Sequence, residues 1–294
     1  MIQFRRIHEL IALARRERQP LSAIVLQYEA ERSEREAHEL RQDMANNLRV
    51  MNEAIQSGLT GREKSASGLV GGDASRLVQR LEDGQTLSGS TIGKAAAYAM
   101  AVNEVNAAMG KIVACPTAGS CGIVPGVLLA AAEALQASDD ELIDALFTSA
   151  GIGIVIAENA SISGAQGGCQ AECGSAAAMA AGATVELAGG TPEQVGHAVA
   201  LALKSILGLV CDPVAGLVEV PCVKRNAFGA MQAILAADMA MAGIESVIPV
   251  DEVIDAMNQI GLALPTTLKE TSEAGLAKTP TAKAIEERLY GKKE

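Results

Sequence analysis

Six cysteines carry the most reactive chemistry in this chain of 294 residues. Two of them frame the segment Cys211-Asp-Pro-Val-Ala-Gly-Leu-Val-Glu-Val-Pro-Cys222, and a third follows two glycines in Gly167-Gly168-Cys169. Thiolates are soft ligands that select iron-sulfur clusters, zinc or copper(I) over hard ions. Taken together, these three read as ligands of one metal centre. A cubane cluster held by only three of them leaves one iron without a protein ligand, free to bind and polarise a substrate. Spacing alone does not select the trio. Cys169 and Cys173 lie four positions apart and can share a helical face, while Cys115 and Cys121 sit in another loop. A zinc site would accept any tetrahedral set, and a buried cysteine is commonly a small hydrophobe.

Two segments of small residues are suited to holding a polar substrate. In Ser65-Ala-Ser-Gly-Leu-Val-Gly-Gly-Asp73 the glycines permit positive φ and the hydroxyls of Ser65 and Ser67 can donate to an anion, although ordinary loops have similar composition. In Cys115-Pro-Thr-Ala-Gly-Ser-Cys-Gly-Ile-Val-Pro-Gly126, two prolines bracket Thr117 and Ser120. That loop can present hydroxyls and backbone N–H groups to a carboxylate at a helix start near Val127, or simply connect two helices through a threonine cap. Lys111 and Arg225 are candidate charge partners for the carboxylate, and Asn226 either orients a polar group or caps a helix. The general base is unassigned. Of the three histidines, His38 is the candidate, although its charged neighbours equally suit a solvated helix face; His197 reads as a hydrogen-bonded core residue and His8 as peripheral.

These groups need a scaffold, and composition points to helices. Hydrophobic residues make up 49% of the chain but aromatics only 2%, with no Trp, so the core rests on Ala, Leu, Ile, Val and Met. Leu21 to Ile55 is dense in strong helix formers and predicts one long helix or two. Thr91–Met109, Ala130–Leu135, Glu141–Ile156, Ala171–Leu187, Glu193–Leu207, Val223–Ala242 and Asp251–Ile260 also read as helices, with Thr191-Pro-Glu193 as a start signal. The β-branched clusters are too short for a sheet. The expected architecture is all-α: a single compact helical catalytic domain over 1–294 with cluster-binding loops, comprising an N-terminal helical region (1–60) and a cluster- and substrate-binding core (61–294). A net charge of -11 argues against nucleic acid as a partner. No apolar signal core opens the chain, and its least polar stretch, Ala145–Ile156, falls short of the roughly 20 residues that span a bilayer. These features predict a cytoplasmic protein with reduced cysteines and no membrane association.

Several long motifs in order resemble the α subunit of iron-sulfur-dependent L-serine dehydratase of the two-subunit type: Pro116 to Gly126, Gly168-Cys-Gln-Ala-Glu-Cys-Gly-Ser175, Cys211 to Cys222, and Lys224-Arg-Asn-Ala227. Ser65 to Gly72 and Leu268-Lys-Glu-Thr-Ser-Glu-Ala-Gly-Leu276 extend the likeness over nearly the whole chain. The resemblance implies a [4Fe-4S] cluster on Cys169, Cys211 and Cys222, with Cys115, Cys121 and Cys173 as bystanders. It also implies β-elimination of water from L-serine to give pyruvate and ammonia, without pyridoxal phosphate and with the open iron as Lewis acid. A separate β subunit is the implied partner in a hetero-oligomer and a source for the missing base. Single-chain members can end in a cysteine that reaches the cluster; this chain ends Tyr290-Gly-Lys-Lys-Glu294, so that self-occupation is not expected. Alternatives of different kind are an L-cysteine desulfidase using the same cluster chemistry and a noncatalytic scaffold whose thiols are buried or bind structural zinc.

Overall fold

Alanine-rich segments with few Gly or Pro interruptions favour helix strongly over other backbone states. The structure, a computed structural model that describes residues 2–62 and 64–291, has the expected all-α architecture. In chain order the helices are α1 (Ile7–Glu17), α2 (Leu21–Ser33), α3 (Ala37–Leu59), α4 (Asp73–Glu82), α5 (Ser90–Ala107), α6 (Ile123–Leu135) and α7 (Asp139–Asn159). They continue as the single turn α8 (Gly164–Gly167), then α9 (Ser175–Leu187), α10 (Pro192–Lys204), α11 (Cys222–Met241), α12 (Val250–Ala263) and α13 (Pro280–Tyr290). Among the described residues there is no β-strand, and one isolated parallel bridge joins Cys211 to Lys269.

Two helices form the centre. Nearly every side chain of α5 from Ala95 to Val105, and of α9 from Ser175 to Val185, is buried, the pattern of a helix surrounded on all sides. Around α5 pack α3, α4, α6 and α11; around α9 pack α6, α7, α10 and α11. Small residues bring these backbones into direct contact. A Cβ on Gly122 would lie 2.0 Å from the Ala99 carbonyl oxygen, and one on Gly58 would lie 2.3 Å from that of Ala101, so α6 and α3 approach α5 where only glycine fits. The N-terminal helices belong to the same core, since Phe4, Ile7, Leu10, Leu21, Ile24 and Val25 are buried in one cluster with the α9 alanines.

Local chemistry adjusts the expected boundaries. The Leu21–Ile55 region divides into α2 and α3 because Glu34 takes a left-handed conformation, φ 55°. Helix α6 begins at Ile123, earlier than the expected start near Val127, because Pro125 falls in the first turn, where a missing N–H breaks no intrahelical bond. Thr191 caps α10, with Pro192 behind it and Gln194 completing the capping box, as the start signal indicates. Helix α1 lies within the expected N-terminal helical region, while α4 and α13 are helices beyond the segments expected. The expected helix over Ala171–Leu187 opens as a π-helical turn, Gln170–Gly174. No helix among the described residues is long and apolar enough to cross a membrane. The chain end at 292–294 lies outside the described residues.

Candidate active site

Cys169 and Cys222 sit where a helical turn meets an irregular segment, and Cys211 lies within the irregular segment between α10 and α11. After α7, the turn α8 leads through Gly168 (φ 78°) to Cys169 and the π turn. A Cβ on Gly168 would fall 2.9 Å from the Leu209 carbonyl oxygen, so glycine is required there for both space and dihedral. The fully buried Gln170 ties this turn down: its Nε2 donates to the carbonyls of Gly167 and Met257, both at 3.0 Å, and its Oε1 accepts from Gly208 N–H at 2.9 Å. Cys211 is held by the Leu268–Glu270 segment. Its N–H donates to Leu268 O at 2.9 Å and its carbonyl accepts from Glu270 N–H at 2.8 Å. Cys222 is the first residue of α11. One turn on, Arg225 donates to Val210 O (2.8 Å) and Asp212 Oδ1 (2.9 Å), while Asp212 Oδ2 accepts from Leu276 N–H (2.8 Å). The late Leu268–Leu276 motif therefore folds back onto the Cys211–Asp212 corner.

These segments converge on Gly164. A Cβ there would stand 3.0 Å from Cys211 Sγ and 3.3 Å from an oxygen of each of Glu172 and Glu270. Burial pushes the Cys211 thiol well up and the Cys222 thiol up to about 12, and both also feel the negative charges of Cys169, Glu172 and Glu270. Cys169 is instead lowered, first by the hydrogen bond with Cys173 and then by the Arg225 guanidinium. Burial raises the Glu172 carboxyl; the Thr117 hydroxyl opposes that shift and Glu270 reinforces it. Thus three thiols from three segments, two carboxylates and one half-buried cation, Arg225, share a single neighbourhood. Three soft donors near one cation, with Gly164 set so close to the Cys211 sulfur that a Cβ there would be in tight contact, fit a thiolate-bound metal cluster. Buried thiols pushed this far up ionise when a metal centre supplies the positive charge. Among the described residues, no three His, Cys, Asp or Glu side chains close on one point as ligands of a single ion.

The two small-residue segments border this neighbourhood. Thr117 Oγ1 donates to Glu172 Oε1 at 2.5 Å and lies 3.1 Å from Ser120 Oγ. Ser67 Oγ donates to Glu219 Oε2 at 2.5 Å and lies 3.2 Å from Ser65 Oγ. Glu219 belongs to the segment between Cys211 and Cys222, so the serine turn is fastened to that loop. From the other side, the buried Glu104 of α5 accepts from the N–H groups of Gly72 (3.1 Å) and Asp73 (2.7 Å). Asn226 joins a second pair of elements. Its Nδ2 donates to Gly119 O (2.7 Å) and Cys222 O (2.9 Å), and its Oδ1 accepts from Gly122 N–H (3.0 Å).

Residues 16–277 match the serine dehydratase alpha chain family. This chain belongs to that family. It is 54% identical over 288 residues to the "Probable L-serine dehydratase, alpha chain" of Bacillus subtilis, covering 98% of this chain and 96% of that one. It is 44% identical to the "L-serine dehydratase, alpha chain" of Peptoniphilus asaccharolyticus, over 89% and 90% of the two chains. Against the "L-serine dehydratase" of Streptomyces coelicolor the identity is 41%, over 93% of this chain but only 60% of that longer one.

Within this serine dehydratase α chain, the structure gathers Cys169, Cys211, Cys222, Thr117, Ser120, Arg225 and Asn226, and links Ser65 and Ser67 to the group through Glu219. The polar atoms of Asn226 are all engaged by backbone, which gives it a positioning role between the Thr117 loop and α11. Arg225 is likewise engaged, by Asp212, the Val210 carbonyl and Cys169. Lys111 is exposed at the start of the segment leading to Cys115. His38 is exposed near the start of α3, one turn before Arg41, which bonds Asp140 and Asp144 at the opposite end of α7 from Gly164. His8 pairs with Asp251 at 2.8 Å, and His197 accepts from Ser246 N–H at 3.1 Å. Sequence reasoning passed over Glu172, Glu219, Glu270, Asp212, Glu104 and Gly164. A signal existed for four of them: Glu172 lies inside the Cys169–Cys173 motif, Asp212 and Glu219 between Cys211 and Cys222, and Glu270 in the Leu268–Leu276 motif.

Proposed function

We propose that this chain is the catalytic subunit of an L-serine dehydratase, a lyase that removes water from L-serine to give aminoacrylate, which tautomerises and hydrolyses to pyruvate and ammonia. The gathering of Cys169, Cys211 and Cys222 beside Arg225, in a chain of this family, carries the reading. These three thiolates would hold a [4Fe-4S] cluster. When bound, a cluster with three protein ligands supplies an open Lewis-acid position for the serine hydroxyl, a poor leaving group.

The chain's own residues then divide the remaining work. Arg225, fixed by Asp212 and Val210, offsets the negative charge that three thiolates bring into a buried space. The Thr117–Ser120 and Ser65–Ser67 hydroxyl pairs are assigned to the substrate carboxylate, Ser120 and Ser65 offering the proton in each pair while Thr117 and Ser67 give theirs to Glu172 and Glu219. Glu172 and Glu270, converging on Gly164, form an acidic wall suited to the α-ammonium group of an amino acid. Asn226 and Glu219 hold the two hydroxyl-bearing loops against the thiol-bearing segments. The group that takes the α proton is assigned to a separate β subunit, in a cytoplasmic hetero-oligomer.

The test is anaerobic coexpression with the β subunit, followed by assays on L-serine and L-cysteine side by side. Pyruvate formed from L-serine in preference to sulfide from L-cysteine is the expected result. Preferential sulfide release would make the enzyme a desulfidase, and no turnover with stoichiometric zinc would make the chain a scaffold.

A further inference from the structure

The elimination leaves Cys173 without a task, yet its thiol is in hydrogen-bond contact with a proposed cluster ligand. Cys169 Sγ and Cys173 Sγ are 3.4 Å apart, both buried and both free. In a regular α-helix, residues four apart keep their Cβ atoms about 5–6 Å from each other, wider than the roughly 3.5–4.5 Å that a disulfide spans. Here the intervening turn is π-helical over Gln170–Gly174. Its wider winding stacks the fourth residue more nearly over the first, and Gly168 and Gly174 flank the pair with the least hindered backbone available. Cys115, by contrast, points its thiol at the carbonyls of Val113 and Cys121.

We infer that Cys169 and Cys173 form an oxidation site that closes to a disulfide whenever Cys169 carries no iron, with hydrogen peroxide as the oxidant. The two thiols lose two protons and two electrons, the sulfur–sulfur bond forms, and those protons and electrons reduce one peroxide molecule to two waters. Closure removes a ligand, so the oxidised chain cannot take up a cluster until a dithiol reduces it. This last consequence rests on the ligand assignment proposed above; the disulfide itself rests only on the thiol geometry.

The experiment uses the full chain prepared with and without cluster, treated with peroxide under limiting conditions, then thiol-counted and peptide-mapped by mass spectrometry. The cluster-free chain should fall from six free thiols to four, with one peptide containing Cys169 and Cys173 lighter by two hydrogens. Cys173→Ser should abolish that species and Cys121→Ser should leave it intact. Oxidation spread over other cysteines, or sulfinic acid at Cys169 in place of the disulfide, would overturn the inference, and the wild-type map decides even if Cys173→Ser fails to fold. In the reconstitution arm, iron and sulfide uptake should be lost on oxidation and restored by dithiothreitol. A disulfide that forms equally in the cluster-loaded chain would refute the ligand role of Cys169 while leaving the oxidation site standing.

Discussion

At the scale of single residues, the site pairs hydroxyls with buried carboxylates: Thr117 with Glu172, Ser67 with Glu219. In a low-dielectric setting such bonds fix the direction of a hydroxyl, so each loop presents its remaining polar atoms in a defined orientation. For Thr117→Ala we expect an unchanged cluster content and a KM for L-serine raised about tenfold with kcat largely retained, the loss of about 1.4 kcal/mol as Ser120 and Glu172 lose the hydroxyl that aligns them beside the substrate. Steady-state kinetics alongside iron analysis checks this; a fall in kcat at constant KM would move Thr117 from recognition to the chemical step. The cysteines show what a sequence alone can and cannot give. Their softness as ligands was legible from residue type, but the choice of three among six was not, because it depends on Cys169, Cys211 and Cys222 meeting across segments far apart in the chain. The framed segment suggested the trio, and the longer motifs around them narrowed the expectation to it. Glu172 and Glu270 lie inside recognisable motifs, but that both turn toward Gly164 was illegible for the same reason, since it depends on segments far apart in the chain.

At the scale of elements, helix positions were readable where alanine dominates, as in α5, α9 and α11, because intrinsic propensity and burial agree there. Boundaries and exceptions were not. The π turn before α9 and the break at Glu34 follow from tertiary contacts or single dihedrals that no periodicity encodes, and α6 starts early because Pro125, which reads as a loop residue, fits a first helical turn. The contact of α6 with α5 is the most exacting of these. Gly122→Ala would drive a methyl group into the Ala99 carbonyl and shift the N–H that Asn226 accepts. We expect a loss of about 2 kcal/mol or more, seen as a lower denaturation midpoint in urea, since backbone cannot yield as a side-chain tip can. A wild-type midpoint would show that the α5–α6 approach is looser than described.

At the scale of the whole molecule, an alanine-built core with almost no aromatics lets helices pack at backbone contact, and that closeness is what allows loops from α7, α10, α11 and α12 to meet at one corner. The all-α architecture followed from composition; the meeting point did not, since it is a property of how thirteen helices among the described residues are arranged. The central claim is that this corner anchors an iron-sulfur cluster on three thiols. Its most direct measurement is iron and acid-labile sulfide in the anaerobically assembled complex for the wild type and for Cys169→Ser, Cys211→Ser, Cys222→Ser and Cys121→Ser. The account predicts about four irons and four sulfides per α chain in the wild type and in Cys121→Ser, and loss of both in each of the other three. Equal loss in all four variants, or a wild type without iron and sulfide, would contradict it.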